Sequence, residues 1–151
     1  MIFRLTLGLK FDPNKSKPDC NNHLWHTFKE MLTADKVSSL VRQELDNIDD
    51  PALVNRIREL LVTPYAVERD WDYGSVGQRF TCWTVLEHSP SNTGITYCEQ
   101  GFGPSDPWGL VFLSGENMGI GMDSGWFSTL ESAMRDSMAW DSANPENYEV
   151  P

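Results

Sequence analysis

Tyr65-Ala66-Val67-Glu68-Arg69-Asp70-Trp71-Asp72-Tyr73 is the stretch on which the reading of this chain turns. Tyr65, Val67, Arg69, Trp71 and Tyr73 occupy every second position, with Ala66, Glu68, Asp70 and Asp72 between them. A period of two belongs to a strand, whose successive side chains point to opposite faces, and one acidic face marks it as half-exposed and antiparallel. The stretch also divides the chain: upstream the period is mostly helical, downstream it is that of strands.

Upstream, Asp50-Pro51 joins a capping carboxylate to a first-turn proline and opens a helix that buries Leu53, Val54, Ile57, Leu60 and Leu61, with Thr63-Pro64 expected to end it. Residues 35–48 place Val37, Leu40, Val41, Leu45 and Ile48 on one face, and residues 23–32 do the same with Leu24, Trp25, Phe28, Met31 and Leu32. Residues 2–9 alternate as a first strand, and 10–22 form a loop. Downstream, residues 78–88 are β-branched and aromatic on both faces, as in a strand inside a sheet. The turn Ser89-Pro90-Ser91-Asn92-Thr93-Gly94 leads to a partner strand over 95–100, with further short strands over 110–113 and 118–122. Ser128-Thr129-Leu130-Glu131 reads as a capping box with Ser128 at the cap, opening a helix that buries Leu130, Ala133, Met134, Ser137 and Met138. Residues 141–151 are polar and acidic, a tail or draped strap. This order predicts an α+β domain: a mostly antiparallel sheet of about five strands with N-terminal helices and one C-terminal helix packed on it.

A length of 151 residues fits one domain, 1–151, and folding at that size buries roughly 70% of the unfolded chain's surface. No apolar run approaches the ~18 residues of a membrane span, and the N-terminal alternation is unlike a signal peptide, so a cytoplasmic protein is expected. Cys20, Cys82 and Cys98 are an odd, widely spaced set, read as free thiols. Cys82 and Cys98 would face each other across a hairpin centred near Pro90.

Charge narrows the partners. Residues 1–79 hold 11 Lys and Arg against 12 Asp and Glu, and residues 80–151 hold 1 against 10, so the two parts contribute -1 and -9 to the net -10. A one-signed field steers oppositely charged partners and repels phosphate backbones, which points to a basic protein partner and away from nucleic acid. Glu68, Asp70 and Asp72 share one strand face, and the acids continue through Glu87, Glu99, Asp106, Glu116 and Asp123 with no base between Arg79 and Arg135.

The enzyme motifs are incomplete. Cys20-x-x-His23-x-x-His26 has metal-binding residue types, but the spacing is not a usual zinc pattern and no fourth ligand stands nearby. Asp123-Ser124-Gly125 is like a serine-protease nucleophile turn, yet Trp126 replaces the second glycine and only His88 could assist from the strand region. The glycine-rich residues 101–109 carry Asp106 and two prolines where a phosphate loop needs a lysine and a following helix. No catalytic, cofactor or metal residue is therefore assigned. Trp108 and Trp126, in glycine-rich surroundings, read as exposed aromatic anchors. The expected partner-binding set is Glu68, Asp70, Asp72, Glu99, Asp106, Trp108, Glu116, Asp123 and Trp126.

In size, acidity and the stretch from Asp106-Pro107-Trp108-Gly109-Leu110-Val111-Phe112 to Gly125-Trp126-Phe127, the chain resembles the immunity proteins of bacterial polymorphic-toxin and contact-dependent inhibition systems. The resemblance implies an inhibitor that docks on a toxin domain, often a nuclease, and occludes its basic groove. Two other readings stand beside it. One is a small enzyme or ligand-binding domain with a pocket between sheet and helices, lined by Trp71, Trp83 and a carboxylate; the other is a structural subunit of a homo-oligomer.

Overall fold

In the computed structural model, residues 31–122 and 124–141 are described. The expected strand over 2–9, the loop over 10–22, most of the helix over 23–32, the Cys20/His23/His26 motif, Asp123 and the tail beyond Asp141 lie outside them. Met31 and Leu32, the end of that helix, are not helical.

Helix α1, Ala34–Asp46, starts where the Thr33 hydroxyl accepts from the Lys36 N–H, and buries Val37, Val41 and Leu45. Helix α2, Pro51–Leu60, has the expected start: the Asp50 carboxylate accepts from Ala52 and Leu53 with Pro51 in the first turn. The Leu53 N–H, first among its causes, holds the Asp50 carboxyl below its ordinary pKa. The end of α2 differs from expectation. Leu61 turns directly into strand β1, Leu61–Asp70, and Thr63-Pro64 lies inside that strand. Proline is tolerated there because, among the described residues, β1 is the edge of the sheet and its register with β2 shifts between Leu61 and Tyr65.

Strands β2, Arg79–His88, β3, Thr93–Tyr97, β4, Trp108–Phe112, and β5, Trp126–Phe127, complete one antiparallel sheet in the order β1-β2-β3-β4-β5. The domain is α+β, with β2 inside the sheet as its two-sided sequence required. Three expected downstream strands change. The partner of β2 runs Thr93–Tyr97 rather than 95–100, the next strand Trp108–Phe112 rather than 110–113, and the 118–122 segment contributes a single parallel bridge, Ile120 to Trp71. Helix α3, Leu130–Arg135, is capped by Thr129, whose hydroxyl accepts from the Ser132 N–H at 3.1 Å; the cap is one residue later than the capping-box reading. Glu131 is thereby freed to pair with Arg135 at 2.9 Å, and Arg135 reaches Asp50 at 3.2 Å, joining α3 to the start of α2. Leu130, Ala133, Met134 and Ser137 are buried, whereas Met138, at the start of α4, Met138–Asp141, is exposed.

Because side chains alternate across a strand, the sheet has two cores. On the helix side Val85, Ile95 and Trp108 pack with Val37, Leu53, Ile57, Leu130 and Met134. On the far side Cys82, Cys98, Val111 and Ile120 form a smaller cluster with Trp71, Phe80 and Trp126 against it. One step beyond the Trp83–Tyr97 pair, Cys82 meets Cys98 across β2 and β3, both buried and free. The hydrogen-bonded Cys98 thiol and then burial push the Cys82 thiol far above its ordinary pKa, so it stays protonated.

His88 closes the β2–β3 turn. It is buried, its Nδ1 lies 2.6 Å from the Ser91 hydroxyl, and Asn92 follows in the left-handed region at φ 54°. Burial, and then the Arg56 charge, lower its pKa below the ordinary imidazole value. A lowered folded pKa means that the neutral ring contributes stability above the unfolded value of ~6.5, lost as pH falls through the folded pKa. Replacing His88 by Gln should flatten the stability profile below pH ~6.5 relative to the parent protein, as read by urea unfolding across pH.

Candidate interaction site

Three connections meet at one end of the sheet, and Trp71 is where they meet. The β1–β2 turn is held by Trp71 N–H to Gln78 carbonyl at 2.9 Å and Gly74 N–H to Trp71 carbonyl at 3.1 Å. The segment between β3 and β4 lays Phe102 against the Trp71 ring at 5.1 Å, edge-on, and a Cβ on Gly101 would stand 3.1 Å from that ring. The segment between β4 and β5 crosses the far face to reach β1: the Ile120 N–H donates to the Asp70 carbonyl at 2.8 Å, and the Asp72 N–H to the Ile120 carbonyl at 3.0 Å. Rings at 5.1–6.0 Å link Trp71, Tyr73, Phe80, Phe102 and Trp126, all in edge or tilted geometry. Such geometry sets the positive edge of one ring on the negative face of another. The cluster is only partly covered: Tyr73 is 58% exposed and Phe102 37%.

Beneath the crossing segment lies a buried charge. Arg69 is 1% exposed, its Nη1 donates to the Met118 carbonyl at 3.1 Å, and burial lowers its pKa from the ordinary guanidinium value. Its Nε, with the hydroxyls of Thr84 and Thr96 on the same sheet face, has no hydrogen-bond partner among the described residues. Arg69 thus holds the crossing segment from within and contributes little positive surface.

The expected partner-binding residues divide by environment. Glu68, Asp70, Asp72 and Glu116 are exposed, and Glu99 and Asp106 are half-buried. Several already have internal duties. Glu68 bonds the Thr81 hydroxyl, Asp70 pairs with Arg79 at 2.8 Å, and Asp72 accepts from the Met122 N–H at 3.2 Å. Trp126 is half-buried, with its indole N–H on the Ser124 hydroxyl at 2.8 Å. Trp108 is not in a loop. It lies in β4, 2% exposed, with its ring edge-on to Tyr97 at 5.0 Å, so it is core and no exposed anchor. Asp123 lies outside the described residues. Missing from the expected set were Trp71, Tyr73 and Phe102. The aromatic side of the 65–73 alternation marked the first two, but only the fold brings Phe102 to them.

A cleft of about 580 Å³ opens beside β4, with Leu110, Val111 and Phe112 in its wall and Asp70, Asp72, Glu116 and Asp136 among its polar residues. Neither Trp71 nor Trp83 lines it, so it is not the pocket expected of a small enzyme. Ser124, the one serine in a protease-like setting, accepts from Gly121 N–H and Trp126 while His88 bonds Ser91, so each has a structural task of its own. Among the described residues no three His, Cys, Asp or Glu side chains are placed to hold a metal, and no helix is long and apolar enough to cross a membrane. Comparison with family models, curated proteins and solved structures gives no match.

Proposed function

We propose that this is an acidic protein-binding module of the immunity or inhibitor type, docking the loop end of its sheet on a basic partner such as a toxin domain. The observation that carries this is the partly exposed Trp71–Tyr73–Phe102 cluster set among acids. Asp72, Glu99, Asp106 and Glu116 belong to the three connections and Asp70 ends β1 beside them, while the nearby bases are spent, Arg69 by burial and Arg79 on Asp70. Aromatic rings ringed by carboxylates suit Lys- and Arg-rich surfaces, since a cation is attracted both by the ring face and by the charge around it.

The test is capture from the native host on the immobilised chain, with identification of the retained protein and of the reading frame beside this one. Retention of a basic protein that is released by ~0.3 M salt, and lost by about tenfold or more when Glu68, Asp106 and Glu116 are all changed to Lys, is the expected result. Equal retention by the folded triple variant, insensitive to salt, would sink the proposal.

A further inference from the structure

We propose that Cys82 and Cys98 are a redox pair, oxidised by a hydroperoxide to a reversible disulfide between β2 and the end of β3; this stands apart from the docking reading above. Buried free cysteines are ordinarily inert, small hydrophobes. These two differ in how the sheet places them. Cys98 lies one step beyond the Trp83–Tyr97 pair, opposite Cys82, and its N–H donates to the Pro107 carbonyl at 2.9 Å, so its backbone groups face the β4 side and not β2. That makes Cys82 and Cys98 a non-hydrogen-bonded antiparallel pair, the kind whose side chains approach more closely and whose Cα atoms stand ~4.5 Å apart. A disulfide spans Cα separations of roughly 4.4–6.8 Å, so the bond can close without moving either strand.

The two sulfurs already interact. Cys82 donates its S–H to the Cys98 sulfur, and that bond, first among its causes, holds the Cys98 thiol below its ordinary pKa. Cys98 is therefore the nucleophile, since the thiolate and not the thiol attacks. It attacks the outer oxygen of the hydroperoxide; the O–O bond breaks, and the departing alkoxide takes up the proton that Cys98 gave up, leaving alcohol and a Cys98 sulfenic acid. The Cys82 sulfur then attacks the Cys98 sulfur. The S–S bond forms, the S–O bond breaks, and the departing hydroxide takes the Cys82 proton as water. The buried Arg69 charge favours the anionic form of Cys82 and so assists this second step. Two thiols lose two electrons, and the peroxide gains them. The rings packed over the pair, Trp71, Phe80 and Trp126, are only half-buried, so local opening admits a small peroxide to sulfurs that are themselves fully covered. Closing the bridge also takes the Cys98 thiol donor from Gln100 Oε1, 3.7 Å away, so oxidation is felt in the segment that lays Phe102 on Trp71.

The test treats the full chain, and its Cys20→Ser variant in which one pair alone is possible, with hydrogen peroxide in native buffer. The intact mass of both should fall by that of two hydrogens, a peptide map should link Cys82 to Cys98, and dithiothreitol should reverse both changes. With 15 residues between the cysteines, the bridge should raise the melting temperature by about 10 °C. Cys82→Ala, made in the Cys20→Ser background, removes the resolving thiol, so dimedone should then label Cys98 as a sulfenic acid; in the corresponding Cys98→Ala variant Cys82 should stay unlabelled. Should an alanine variant not fold, the peptide map of the Cys20→Ser protein decides. Two thiols that survive peroxide in the folded protein, a linkage that forms only in urea, or one that leaves the melting temperature unchanged or lower would each overturn the proposal. Labelling of Cys82 in place of Cys98 would overturn the assignment of the nucleophile.

Discussion

Replacing Trp71 by alanine is expected to cost about 3 kcal/mol of unfolding free energy, at the lower end of the range for a large aromatic because the ring is half-buried. The ring is the shared neighbour of Tyr73, Phe80 and Phe102, at 5.3, 5.6 and 5.1 Å. Truncation therefore removes contacts from the β1–β2 turn and from the segment between β3 and β4 at once, and leaves a cavity that neither can fill alone. Trp71→Phe should recover most of the loss, since an aromatic edge and face remain. Urea unfolding of the two variants measures both effects, and a Trp71→Ala change below about 1 kcal/mol would mean that the loops are not held through this ring. Amide exchange should rise in residues 72–78 and 98–107 of the alanine variant and not in α1.

The alternation that marked residues 65–73 as a strand was correct in period and in the sense of its faces. Arg69, on the aromatic side, is buried, and Glu68 and Asp70, on the other, face solvent. What the period could not supply was its end. The strand stops at Asp70 because Trp71 bonds Gln78 across a turn and then the crossing segment, a long-range pairing with Ile120 that has no local signature. Helices were legible because caps and apolar stripes are local, as at Asp50-Pro51. The α2–β1 junction was not, because Thr63-Pro64 has the chemistry of a stop, and an edge strand with a register shift accommodates it. Trp108 was misplaced by its glycines. Gly109 reads as loop, but in β4 it makes room for the Trp126 ring, which a Cβ there would approach to 2.7 Å. The acidic character of the site was visible in composition; the aromatic cluster was not, since its members are contributed by four separate stretches.

The crossing segment makes the second large effect, at Gly121. Its φ of 140° lies in a region that side chains avoid, and a Cβ there would stand 2.8 Å from the Asp72 Cβ and 3.0 Å from its Oδ2. Backbone strain alone costs of order 1–3 kcal/mol, and the steric conflict adds to it because Asp72 cannot withdraw: its N–H is bonded to Ile120 and its carboxylate to Met122. Gly121→Ala is therefore expected to destabilise by about 3 kcal/mol or to lift the segment from β1. A double-mutant cycle separates the causes. Asp72→Gly removes the obstructing Cβ and carboxylate, so the Gly121→Ala change measured in that background should shrink to the strain component. Equal costs in both backgrounds would show that the segment does not rest on Asp72. Lifting it would uncover Arg69, whose guanidinium is held from above by the Met118 carbonyl, and a base returned to solvent beside Asp70 and Asp72 reduces the local negative field. The Gly121→Ala variant should accordingly bind a basic partner more weakly even at temperatures where it remains folded, linking the stability of this one turn to the charge of the docking surface.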